Sequence, residues 1–151
     1  MPTIPDLPER LGDELVELRE IAEWDIPEVL IAHQDDRDLH LRLGLSRPPT
    51  GAQLGSEVER AQDERLAGSS VKLTILEQGG NDCRGRIEVD GFDWEQGSAS
   101  MRVWVAPQVR GRGYEQHAVA LASQWLLTGV GLRRLTVSVD GAETQMLERH
   151  T

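Results

Sequence analysis

The stretch Val103-Trp104-Val105-Ala106-Pro107-Gln108-Val109-Arg110-Gly111-Arg112-Gly113-Tyr114 runs from an apolar strand through a proline turn and a glycine-rich loop into a helix. Amides at a helix start lack intrahelical partners and sit at the positive end of the dipole, while Gly111 and Gly113 let the backbone approach closely, so main chain can cradle a polyphosphate. Arg110 and Arg112 add charge and forked donors. No Gly-Lys-Ser/Thr follows, which excludes a Walker loop, and the third glycine of the Rossmann pattern is missing.

Downstream, Tyr114 to Leu127 places Tyr114, Ala118, Leu121, Ala122, Trp125 and Leu126 at helical spacing, so this helix packs on a sheet until Gly129 and Gly131 stop it. Leu132 to Val139 reads as a strand with Leu135, Val137 and Val139 on one face, and Ala142 to Arg149 as a last helix. Upstream, Val71 to Glu77, Arg84 to Asp90, Gly91 to Gly97 and Ala99 to Val105 read as an antiparallel meander. Earlier still, Glu14 to Ile21 is a strand. Asp25 caps a helix with Pro27 in its first turn and Glu28 completing a box, and Ile26, Val29, Leu30 and His33 line one face. Thr50 with Gln53 starts a second helix carrying Leu54, Val58 and Ala61 and ending near Gly68. Three prolines in the first eight residues make residues 1–13 an extended arm ahead of one domain over 14–151. The sum is an α/β domain with a mixed, mostly antiparallel sheet flanked by helices and one strand-helix-strand crossover, where a ligand is expected.

The loop, placed between Val103-Trp104-Val105-Ala106-Pro107 and the following helix, resembles the pyrophosphate loop of the GNAT acetyltransferases, whose pattern is Arg or Gln, two residues, Gly, one residue, then Gly or Ala. Arg110 and Gly113 match it. Val16 to Ile31 resembles the family's first strand and Asp-x-Pro helix start, and Gly131-Leu132-Arg133-Arg134-Leu135 its fifth strand; the version resembled is the ribosomal-protein N-terminal acetyltransferase type. The resemblance implies a splayed parallel strand pair, acetyl-CoA as cosubstrate, no metal, and transfer of an acetyl group to an amine on a peptide N-terminus or a small metabolite. It implies that Val103, Trp104 and Val105 hold the pantetheine arm through main chain and that Arg110, Gly111, Arg112, Gly113, Tyr114 and Glu115 surround the pyrophosphate. The amine attacks the thioester directly, so no Ser-His-Asp set is required, and no catalytic residue is assigned.

Departures fall at working positions. Glu115 stands where the pattern has Gly or Ala, bringing a carboxylate to the pyrophosphate unless Arg110 or Arg112 neutralises it. Ser100 replaces a fourth-strand Glu that relays the amine's proton. Val139-Asp140-Gly141-Ala142-Glu143-Thr144-Gln145-Met146 lacks the family's Asn and Ser or Tyr, leaving Thr144 as a weak substitute. The family's last two strands are not supplied before Thr151, so the chain reads as C-terminally truncated, or a homodimer or other partner supplies the missing sheet edge. These departures also suit a second reading, a catalytically inactive GNAT-fold CoA-sensing or protein-interaction module. A third is an unrelated α/β binding domain.

Composition bounds the rest. The chain has 151 residues and a net charge of -10, with 16 Asp and Glu against 7 Arg in residues 1–65. That balance argues against nucleic-acid binding and suits an amine-bearing partner or simple solubility. Cys83 is the only cysteine, which excludes internal disulfides and cysteine metal sites and fits a reducing cytoplasm. No apolar run approaches the ~18 residues of a membrane span. The histidines His33, His40, His117 and His150 have no metal or catalytic spacing and read as solvated or capped. Trp104 and Trp125 belong to the core, Trp24 and Trp94 to partly exposed sites, and Asp35, Asp36 and Asp38 to a solvated face that can steer a cationic amine.

Overall fold

The computed structural model describes residues 2–9 and 11–149. Its centre is a seven-stranded sheet whose spatial order follows the chain: β1 Leu11–Gly12, β2 Val16–Glu20, β3 Val71–Glu77, β4 Cys83–Asp93, β5 Ser98–Val105, β6 Arg134–Val139 and β7 Ala142–Glu148. All neighbours are antiparallel except β5 and β6, which run parallel from Ser98 opposite Arg134 to Val103 opposite Val139. Helices α1 Ile26–Asp35, α2 Leu39–Arg42 and α3 Gly51–Leu66 separate β2 from β3, and α4 Tyr114–Gln124 bridges the parallel pair.

Strand alternation splits the sheet into two unlike faces. Val16, Leu18, Val71, Leu73, Ile75, Ile87, Val89, Met101, Val103, Leu135 and Val137 join Tyr114, Ala118, Ala122 and Leu126 of the α4 layer in one buried cluster. The intervening residues, among them Arg19, Thr74, Arg86, Glu88, Arg102 and Trp104, face α1 and α3, where a smaller cluster holds Val29, Ala32, Leu39, Leu54 and Trp104.

Several elements differ from the sequence reading. Residues 142–148 form a strand, not a helix. Val139 pairs with Ala142 across a two-residue turn, with Asp140 at φ 54° and Gly141 at φ 86°. Asp-Gly between two paired residues favours the turn whose twist matches a hairpin, and this local signal outweighs the helix propensity of the following residues. The sheet therefore carries one strand beyond β6. Residues 91–97 are not a separate strand: β4 continues to Asp93 over an irregular register and then turns. Helix α4 continues as a π-helical segment, Trp125–Val130, before Gly131.

Asp25 does not cap α1. It lies in a 3-10 turn, wholly buried, where its carboxylate accepts from Arg19 at 2.6 and 2.9 Å, from Thr74 Oγ1 at 2.5 Å and from the Ala22 amide at 3.0 Å. Burial alone would raise its pKa, but these donors outweigh burial and hold it below the usual carboxylate range. The Thr50 and Gln53 box forms as read, at 3.1 and 2.9 Å. The arm is fastened: Ile4 is fully buried, and buried Arg65 donates to the Ile4 carbonyl and pairs with Asp6 and Glu20.

Candidate functional site

The parallel pair loses contact at one end. The Asp140 amide donates to the Val103 carbonyl at 2.8 Å, after which β6 turns away into the hairpin while β5 runs on to Val105. Alternation puts the main-chain groups of Val105 on the same side as those of Val103, beyond the last paired residue of β6. The side chains of Val103 and Val105 enter the α4 core and that of Trp104 the opposite face, and all three are buried.

Beyond Val105 the chain makes a short 3-10 turn, Pro107–Val109, and Gly113 then precedes α4 with φ 84°, in the left-handed region that glycine adopts without strain. Gly111 has φ 76°, and a Cβ there would meet nothing within 4 Å. The first intrahelical bond comes from the His117 amide to the Gly113 carbonyl, leaving the amides of Tyr114, Glu115 and Gln116 at the helix start without an intrahelical acceptor. An open glycine corner with three free amides fits a pyrophosphate.

The side chains around this corner depart from the sequence reading. Arg110 pairs with Asp36 at 2.6 Å. Asp36 also takes Arg42, which reaches Asp140 at 3.1 Å, so one chain of charges ties the loop, the α1–α2 connection and the β6–β7 hairpin together. The hydrogen bond from Arg42, helped by Arg110, holds the Asp36 carboxyl far below the usual carboxylate range. Asp36 is thus committed to two arginines instead of being a solvated acid, and Arg110 is spent on it and does not neutralise Glu115. Glu115 is half-buried, and its Oε2 is buried with no hydrogen-bond partner among the described residues. Arg112 is exposed, and Tyr114 is buried with its hydroxyl donating to Glu77 at 2.9 Å. Ser100 is exposed on the polar face of β5, and the side chain of Thr144 and residue His150 lie outside the described set.

Sequence reasoning missed a second group, on the polar face beside Trp104. His33 is not solvated: it is 6% exposed, meets the Trp104 ring edge-on at 5.8 Å, and has no hydrogen-bond partner for Nδ1 among the described residues. Burial, then the charges of His40 and Arg86, lower its pKa, so its ring is neutral near pH 7. Arg86, 2% exposed, donates through Nη1 to Glu57 at 3.0 Å. The available signal was alternation: Arg86 and Glu88 sit in strand register beside Trp104 and Arg102, across from a helix bearing Glu57.

The family model for the acetyltransferase (GNAT) domain matches residues 16–148. The chain belongs to the GNAT acetyltransferase family. Similar folds include a ribosomal-protein-serine acetyltransferase from Vibrio cholerae, with TM-score 0.72 and 14% identity over 89% of this chain and 75% of that one. RimL, a ribosomal L7/L12 alpha-N-protein acetyltransferase, gives TM-score 0.71 and 16% identity over 85% and 70%. RimJ from Mycobacterium smegmatis, in complex with CoA-disulfide, gives 0.69 and 20% over 81% and 61%. No curated protein matches the sequence significantly. Among the described residues, no helix is long and apolar enough to cross a membrane.

Proposed function

We propose that this chain is an acyl-CoA-dependent N-acetyltransferase that moves an acetyl group from acetyl-CoA to an amine. The observation that carries this reading is the end of the β5–β6 pairing at Val103 and Val139, together with a left-handed Gly113 ahead of α4, whose first three amides have no intrahelical acceptor. Val105 main chain would hold the pantetheine arm as an added strand, and the amides of Tyr114 to Gln116 with Arg112 would hold the pyrophosphate. RimL and the RimJ relative have both been solved with CoA or its disulfide, which supports the same ligand here. Bound acetyl-CoA supplies the activated acetyl group. This chain's part is to seat the amine against it, exclude water and accept the amine's proton. His33 is the group we assign to that last step: it is neutral, buried and beside Trp104, whose neighbours Val103 and Val105 border the opening. A soluble setting that keeps thiols reduced suits Cys83, whose thiol is buried and pushed up to about 11, chiefly by that burial.

One observation favours a noncatalytic CoA-sensing module instead: Arg110 is held by Asp36 and Glu115 brings an unpaired carboxylate to the loop. Titrating the chain calorimetrically with CoA, and assaying thiol release from acetyl-CoA with simple amines, separates the readings. CoA binding with amine-dependent thiol release supports the transferase. CoA binding without release for any amine supports the sensor, and no binding removes both.

A further inference from the structure

We infer that the acceptor is a small amine that also carries a carboxylate, and that Arg86 grips that carboxylate. This deepens the transferase reading and rests on it. Arg86 projects from β4 between Thr74 and Trp104 in the strand register, and its side chain is 3% exposed. Nη1 is occupied by Glu57, but Nε and Nη2 are buried and meet no acceptor among the described residues. Those two nitrogens form one edge of the guanidinium plane, the edge that meets both oxygens of a carboxylate side-on. Buried donors without acceptors are costly, so a fork left open in this way is set for a pair of ligand oxygens.

The space around Arg86 fits such a ligand. An inner compartment of about 50 Å³, bounded by Val29, His33, Leu54, Arg86 and Trp104, leaves room for a carboxylate. Beyond it lies an outer compartment of about 260 Å³ between Leu43, Leu45 and Trp104. Glu57 and Glu88 line both, each held through one oxygen by Arg86 and Arg102 respectively, and Arg102 lines the outer one, so the wall offers aliphatic and aromatic surface for a carbon stem and the second carboxylate oxygens for an ammonium. Nδ1 of His33, without a partner, is in the inner compartment with the guanidinium edge. A fork for an anion, carboxylates beside it for a cation and an apolar wall beyond them describe an α-amino acid with an aliphatic body. An internal peptide bond at a protein N-terminus offers the fork only one carbonyl oxygen.

The test uses matched acceptors with the full chain and acetyl-CoA: norleucine, its amide, pentylamine and a peptide with a neutral N-terminal residue. Norleucine should show a KM at least about tenfold below pentylamine, norleucine amide and the peptide. Arg86→Lys keeps the charge and loses the fork; it should raise the norleucine KM about tenfold with a smaller change in kcat, alter the pentylamine constants far less and so erase the preference. Direct calorimetric titration of the parent with norleucine and with pentylamine needs no variant and should show the same order. Equal constants for the acids and the amines, or a preference for the peptide, overturn the proposal while leaving the transferase reading intact. Norleucine binding in a protein that acetylates none of the four amines would uphold the grip and remove the transferase.

Discussion

The two faces of the sheet come from alternate residues of the same strands, yet they are built to different ends. The α4 face is apolar along the strands from Val16 to Leu135, and its few polar atoms lie on α4, where the Tyr114 hydroxyl is paired with Glu77 and the Ser123 hydroxyl is buried without a partner among the described residues. The α1 and α3 face carries Arg19, Thr74, Arg86, Glu88 and Arg102, with unpartnered buried atoms on Arg86 and His33. Apolar burial stabilises without regard to direction, whereas buried polar groups stabilise only when fully paired. The difference separates the part of the molecule that supplies stability from the part that supplies recognition.

Adjacent residues allow the sharpest test. Ile87 is fully buried on the apolar face and Arg86 nearly so on the other. Ile87→Ala should cost about 3 to 4 kcal/mol in denaturant unfolding, the range for truncating a close-packed aliphatic side chain. Arg86→Met should cost less, about 1 to 2 kcal/mol, because it frees only the part-exposed Glu57 while removing buried donors that were not all satisfied. Equal losses at the two positions would erase the distinction between the faces.

Asp25 is the exception on the polar face, being fully paired, and Asp25→Ala should cost about 3 kcal/mol by leaving Arg19 and Thr74 without their acceptor. Its pH dependence has a fixed sign. The folded pKa lies below the unfolded value near 3.8, so its contribution is whole above that value and is lost as pH falls through the folded one. Acid titration of parent and variant by circular dichroism should show a shallower limb in the variant, since Asp36 still contributes to it.

At the loop, Glu115→Ala removes a half-buried carboxylate with an unpaired oxygen beside the helix amides. It should tighten CoA binding by about tenfold, ~1.4 kcal/mol, with a smaller gain in high salt, where the repulsion is already screened. Unchanged dissociation constants in both salts would show that the carboxylate does not face the bound phosphate.

The smallest effect concerns His33. Its folded pKa lies below the unfolded value near 6.5, so the unfolded chain binds more protons between the two, and stability is whole above 6.5 and declines as pH falls through the folded value. His33→Leu should flatten the denaturation midpoint just below pH 6.5 and shift it elsewhere by little. A parent midpoint independent of pH over that window would show that the ring is not desolvated.

The apolar face was legible in the sequence because period-two alternation in β3 to β5 and helical spacing in α4 are local signals, and each agrees with the fold. The glycine loop was legible for the same reason. The β6–β7 hairpin was less legible: residues 142–149 read as a helix, while the two residues Asp140-Gly141 carry the turn that makes them a strand. Arg86, His33 and the Asp36 pairing were hidden for a different reason. Their partners lie on other elements, and the bond from Arg110 to Asp36 spans 74 residues. No local pattern shows which acid an arginine will choose.

Gly141, at the tip of that hairpin, leaves no room for a side chain: an added Cβ would come within 2.1 Å of the Arg42 carbonyl oxygen. The contact joins the end of α2 to the β6–β7 turn, far apart in the chain, and we expect it to close after the β3–β5 meander and the α4 crossover are in place. Contacts made that late are absent from the folding transition state. Gly141→Ala should therefore leave the refolding rate nearly untouched and appear almost entirely as faster unfolding, so the hairpin tip acts as a latch on the lifetime of the native state.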